Sequence, residues 1–203
     1  MGDWLANTDN LIELIGVVFG LIYIGLEVRQ KWTMWIFGII SSLCYIIIFY
    51  NNQLYAEMGL NFYFVAMSVY GLYCWKLAPK KETEELKFGF LDKQTALKLI
   101  VVGALIFALI TWLLIFLSKN DRLPHSEIFP HPGLADTFVM TLSILATWMA
   151  ARKIIECWYL WIVADVVAVV LYFSQELYLT DLLYVVYLIL SIVGLVQWRK
   201  SVK

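Results

Sequence analysis

Charge is what this chain has least of. Only 15% of its 203 residues are Asp, Glu, Lys or Arg, where soluble domains carry about a quarter. That excludes an ordinary water-facing domain. A net charge of −1 gives nothing for a nucleic acid to hold, so no nucleic-acid partner is expected. Cysteine is scarce, and Cys44, Cys74 and Cys157 fall in or beside apolar runs with no pairing pattern, which makes them packing residues rather than a disulfide or metal set. Three of the four prolines crowd into "SKNDRLPHSEIFPHPG", leaving long runs unbroken. His125 and His131 in that stretch have no further ligand nearby and read as part of a solvated loop. No G-x-x-x-x-G-K-[ST] loop is present to bind ATP, and no clustered nucleophile, base or metal set marks an enzyme; no cofactor is expected. The start, "MGDWLANTDN", is acidic and lacks the basic head of a cleavable signal, so the first apolar run is expected to be retained.

What is there is apolar residue, 62% of the chain. A membrane helix needs about 20 mostly apolar residues, and seven such runs stand near Asn10–Leu26, Met34–Tyr50, Glu57–Trp75, Ala96–Leu117, Leu134–Ala151, Ile155–Phe173 and Leu177–Gln197. Helices satisfy their backbone groups internally, and no ten-residue alternation supports a barrel. Seven spans put 13 of the 15 basic residues on one side and leave Lys119 and Arg122 on the other. The positive-inside rule then predicts a multi-pass protein of the cell (inner) membrane with its N-terminus outside and its C-terminus cytoplasmic.

The chain also resembles itself. Trp32, Trp35 and Ile36 match Trp158, Trp161 and Ile162 at a spacing of 126, and Leu54, Tyr55, Ser68, Gly71, Leu72 and Trp75 match residues 123 further on. The pattern predicts a three-helix repeat over 1–77, a linker, connecting helix and outer loop over 78–133, and a second repeat over 134–203. An odd connector gives the repeats the same orientation, a plan used by transporters that hold substrate near the midplane between the halves. One chain carries both halves, so a pathway needs no second copy; a homo-oligomer is compatible with this.

One residue stands out. Asp165 sits at the centre of "CWYLWIVADVVAVVLYF", where a carboxylate costs roughly 2.5–3.5 kcal/mol on insertion scales. Trp158, Trp161, Asp165 and Tyr172 share a helical stripe, a plausible wall for a flat cation with indoles stacking and the carboxylate balancing charge. The first-half stripe, Trp32, Trp35, Ile39, Ser42 and Ile46, keeps aromatics and lacks the carboxylate. Asn61, Tyr63, Ser68, Tyr184, Tyr187 and Ser191 are candidate hydrogen-bonding groups. The candidate substrate residues are thus Trp35, Ser42, Asn61, Trp158, Trp161, Asp165, Tyr187 and Ser191. Against them stand blander readings: Trp32 and Trp158 as interfacial belt, the serines as helix packing, and Asp165 as bonded to a neighbouring Tyr or Ser. Glu13 and Glu27, near the ends of the first span, are expected where water reaches.

"WTMWIFGIISSLCYIIIFYNNQLYAEMGL", "YGLYCWK" and "WYLWIV" resemble the PnuC family of vitamin transporters, best known for nicotinamide riboside uptake. The resemblance implies seven helices in a three-plus-one-plus-three plan, similar to a full-length version of SWEET proteins. It also implies facilitated diffusion, with phosphorylation by a cytosolic kinase trapping the product. The family pattern commonly has Asn where this chain has Asp165, and often Asn in the region of Ser41. A carboxylate only accepts and adds charge where an amide both donates and accepts. Thiamine, another flat cation, or another vitamin is therefore the alternative substrate within the same family, and proton coupling through Asp165 the alternative mechanism.

Overall fold

The computed structural model describes residues 8–79, 87–119, 133–174 and 178–202. His125, His131, Arg122 and the outer-loop prolines lie outside them. Seven helices are described: α1 Thr8–Val28, α2 Met34–Asn51, α3 Tyr55–Leu72, α4 Lys93–Lys119, α5 Leu134–Ala151, α6 Cys157–Ser174 and α7 Tyr178–Lys200. Each coincides with one apolar run of the sequence. Five are long and apolar enough to cross a membrane, and α6 adds an apolar helical stretch over Cys157–Leu171. The polar content of α3 (Glu57, Asn61 and Ser68) keeps it out of that group.

The chain divides into two compact units, up to Leu86 and from Lys87 on. Within the first, α2 packs against both α1 and α3. Ser41 Oγ donates to the Gly16 carbonyl at 2.8 Å, and Tyr23 and Trp75 meet the Trp35 ring edge-on at 6.1 and 5.9 Å between centroids. After α3 the backbone relaxes into a π-helical turn over Tyr73–Leu77, in which Ala78 N–H reaches the Tyr73 carbonyl at 2.8 Å. Within the second, α6 packs against α5 and α7, and α4 against α5.

The elements recur at one constant spacing. Met34 and Cys157, Asn51 and Ser174, and Tyr55 and Tyr178 are helix limits 123 positions apart, as are the last residues of α1 and α5, Val28 and Ala151. So are Gln30 and Lys153, both left-handed at φ 56° and 57°. Each closes its helix with the same pair of bonds: Gln30 and Lys31 N–H to the Glu27 and Leu26 carbonyls, Lys153 and Ile154 N–H to those of Ala150 and Met149. This is the six-to-one and five-to-two closure that usually takes glycine. The 126 spacing read from the W-x-x-W pairs is therefore corrected: the helices correspond at 123 throughout. The counterpart of Trp158 is Trp35, that of Trp161 is Gly38, and that of Asp165 is Ser42. Tryptophan matches three residues out of register misled the alignment.

The second unit starts at Lys87 because residues 87–92 are tied to it. Gly89 forms a single parallel bridge with the α5–α6 turn, its N–H on the Lys153 carbonyl at 3.2 Å and its carbonyl accepting from Ile155 at 3.0 Å. Leu91 N–H reaches Glu156 Oε2 at 2.9 Å, and Phe88 meets Trp198 edge-on at 4.9 Å. Asp92 Oδ1 accepts from the backbone N–H of Gln94 and Thr95, at 3.0 and 2.9 Å, and starts α4.

Candidate functional site

Helix pairs α2–α3 and α6–α7 are each pinned by a tryptophan laid on a glycine. The Trp35 ring covers Gly71 so closely that a Cβ there would stand 2.3 Å from Trp35 Cε2, and Trp158 covers Gly194 with 2.5 Å to a would-be Cβ. Both indoles are fully buried. Trp158 also meets Trp198 edge-on at 5.4 Å, as Trp35 meets Trp75. Trp32 is half-buried under the Lys76 ammonium, 5.2 Å from its ring.

Seven residues on from Trp158, Asp165 faces α7. It is 5% exposed, and its Oδ2 accepts from Ser191 Oγ at 2.8 Å. Among the described residues no other hydrogen bond reaches this carboxylate. A bond to an ionised acceptor is worth about 1.5–3 kcal/mol, comparable to the cost of placing the group in a helix centre. Trp161, between Trp158 and Asp165 on the same side of α6, is half-buried. Its Nε1–H is buried with no acceptor among the described residues, as are those of Trp35 and Trp158. The opposite side of α6 carries Tyr159, Val163, Val166, Val170 and Phe173, all exposed. The Trp158–Trp161–Asp165 stripe thus lies on the buried side; the side chain of Tyr172 is outside the described set.

The other predicted residues fall as follows. Ser42 and Ser68 are buried and 123 positions before Asp165 and Ser191. Asn61 is buried, and its amide donates to the Glu57 carbonyl of its own helix at 2.9 Å, leaving its side-chain oxygen available. Tyr187 is half-buried and edge-on to Tyr184 at 5.7 Å. Asp165 and Ser191 are brought together by the hydrogen bond, Trp35 and Trp158 by equivalent positions only. The three cysteines are thiols, Cys74 and Cys157 buried.

Sequence reasoning passed over two features. Glu27 was expected in reach of water and is 1% exposed. Helix α5 buries Thr137, Thr141, Ser143 and Thr147, whose hydroxyl protons go to carbonyls one turn back, at 3.5, 2.8, 2.9 and 2.7 Å. That use leaves oxygen lone pairs as acceptors. The four-residue spacing in "TFVMTLSILAT" was the available signal. Positions 123 earlier in α1 are Leu14, Val18, Gly20 and Ile24, so this hydroxyl face belongs to the second unit alone.

A family model described as nicotinamide mononucleotide transporter matches residues 10–200. The nicotinamide riboside transporter PnuC of Escherichia coli (strain K12) is 29% identical over 95% of this chain and 86% of its own length. The riboflavin/roseoflavin transporter RibM of Streptomyces davaonensis is 25% identical over 92% of this chain and 83% of its own. In fold, the chain is similar to the crystal structure of the vitamin B3 transporter PnuC, with a TM-score of 0.69 over 98% of this chain and 85% of that one at 24% identity. With seven helices in the expected places and a family match along nearly its whole length, this chain belongs to the PnuC family of membrane transporters.

Proposed function

We propose that this protein carries nicotinamide riboside across the inner membrane by facilitated diffusion with alternating access, and that a cytosolic kinase traps the product by phosphorylation. The observation that carries the substrate reading is a buried carboxylate bonded on one oxygen only: Asp165 Oδ2 accepts from Ser191, and Oδ1 has no hydrogen-bond partner among the described residues. In this reading Oδ1 balances the positive charge of the pyridinium ring. Trp161 supplies a ring face and a buried N–H that has no acceptor among the described residues, while Tyr187 bonds the sugar. Trp35 and Trp158, both buried on glycine, support that arrangement by fixing helix spacing. The architecture is proposed as two like-oriented three-helix repeats, 1–77 and 134–203, joined through 78–133 in a SWEET-like plan. The N-terminus is outside, and the C-terminus is on the cytoplasmic side together with the loops that carry most of the basic residues.

A second reading, another vitamin through the same machine, has a specific support in the riboflavin transporter among the relatives; thiamine, a flat cation, fits the carboxylate equally well. Calorimetric titration of the purified protein with nicotinamide riboside, thiamine and riboflavin separates these. Selective binding of the riboside supports the first reading, and selective binding of either other vitamin replaces it. Uptake into vesicles that survives collapse of the pH gradient supports facilitated diffusion; uptake lost with the gradient makes Asp165 a proton-coupling group.

A further inference from the structure

The geometry points to Ser191 as a positioning residue: its hydroxyl turns the Asp165 carboxylate so that one oxygen is held and the other left for the substrate's positive charge, and it thereby sets how far the protein prefers a cationic substrate to a neutral one. This rests on the proposed role of Asp165 in charge recognition.

A carboxylate's terminal torsion is broad and nearly two-fold, so a buried Asp with no partner presents either oxygen over a range of directions. Ser191 removes that freedom. Its side chain is 1% exposed, its oxygen lies 2.8 Å from Oδ2, and a serine has one proton to give. The spacing between the helices that carry the two groups is also fixed. Seven residues before Asp165, Trp158 sits on Gly194 and against Trp198, which is seven residues beyond Ser191. Neither helix can drift without displacing an indole wedged where a single Cβ does not fit.

The first unit shows what the pair adds. At the same positions stand Ser42 and Ser68, two buried hydroxyls. The helix geometry that brings such positions together is present in both units, and only the second turns it into a fixed carboxylate. Charge selection therefore depends on two residues acting together, Asp165 supplying the charge and Ser191 its direction.

The test uses the full-length protein in lipid nanodiscs. Calorimetry gives dissociation constants for nicotinamide riboside, a cation, and for its dihydro form, which has the same shape and no ring charge. Ser191→Ala is expected to cut the cation-to-neutral preference by about tenfold, weakening the cation and leaving the neutral form within about twofold. Ser191→Thr, which restores the hydroxyl, is expected to recover the preference. Asp165→Asn separates this proposal from the reading beneath it. If Asp165→Asn abolishes the preference and Ser191→Ala keeps it, Asp165 recognises charge without help from Ser191 and the positioning role is overturned. If Asp165→Asn keeps the preference, the charge-recognition reading fails and takes the positioning role with it. Equal weakening of both ligands by Ser191→Ala makes Ser191 a packing residue only, and also overturns the proposal. Should Ser191→Ala not fold, Ser191→Cys, a poor donor of similar size, must show the same loss of preference.

Discussion

Helices α2 and α3 of the first unit and α6 and α7 of the second share helix limits and a tryptophan on a glycine at each pair. They differ at two positions that matter chemically. Gly38 stands where the second unit has Trp161, and Ser42 where it has Asp165, at the 123-residue correspondence. What recurs is packing: indole on glycine and the left-handed closure at Gln30 and Lys153. What does not recur is the ionisable group, the extra indole and the hydroxyl face of α5. The two units thus share packing contacts and differ in the chemical groups they carry, because those contacts and those groups occupy different positions on the same helices.

The comparison breaks most severely if the equivalent tryptophans are unequal. Trp35→Ala and Trp158→Ala each remove a fully buried indole, and each is expected to cost about 3–5 kcal/mol, read from unfolding in mild detergent. A large loss at one and none at the other would end the equivalence. From the opposite side of the same contact, Gly71→Ala and Gly194→Ala are each expected to destabilise by about 1–3 kcal/mol through overpacking, since a Cβ lands 2.3–2.5 Å from ring carbons. Gly38→Ala should cost less than either, because its nearest neighbours, the Ser68 hydroxyl at 2.9 Å and the Tyr23 ring at 3.0 Å, stand farther off.

Sharpening the difference between the units falls to Trp161. Trp161→Phe keeps a ring and removes a buried N–H that has no acceptor among the described residues. It is expected to weaken vitamin binding by about 1 kcal/mol, the worth of one hydrogen bond, with little change in stability. The smallest effect is at the clamp that only the second unit has. The Thr95 hydroxyl, followed by backbone N–H groups, holds the Asp92 carboxyl below its ordinary value of 3.8. Its contribution to the start of α4 is therefore present in full above that value and lost as pH falls below it. The protection factors of the Gln94 and Thr95 amides, taken against intrinsic exchange at each pH, should fall in acid, and Asp92→Ala should remove that pH dependence.

All seven helices were legible because each is an apolar run bounded by charged or turn-forming residues, as in "EVRQKW" between α1 and α2. The stripe of Trp158, Trp161 and Asp165 was legible from helical spacing. The repeat register was not. Tryptophans at 32, 35, 158 and 161 allow two alignments, and the helix limits, the closures at Gln30 and Lys153 and the contacts with Gly71 and Gly194 choose between them. Nor did spacing reveal that Ser191 meets Asp165, since the bond joins residues 26 apart on two helices. Glu27 was misjudged for a related reason: a helix end near charged residues suggests water, yet packing around that end buries the side chain almost completely.

The most direct test of the claim that the positions that differ carry the substrate is a calorimetric titration of nicotinamide riboside into the native protein, Asp165→Asn and Ser42→Ala. The account predicts that Asp165→Asn weakens binding by about 1–3 kcal/mol, as for loss of a buried charge contact, while Ser42→Ala at the equivalent position changes it less than threefold. Equal affinity in all three, or a larger loss at Ser42 than at Asp165, would contradict it.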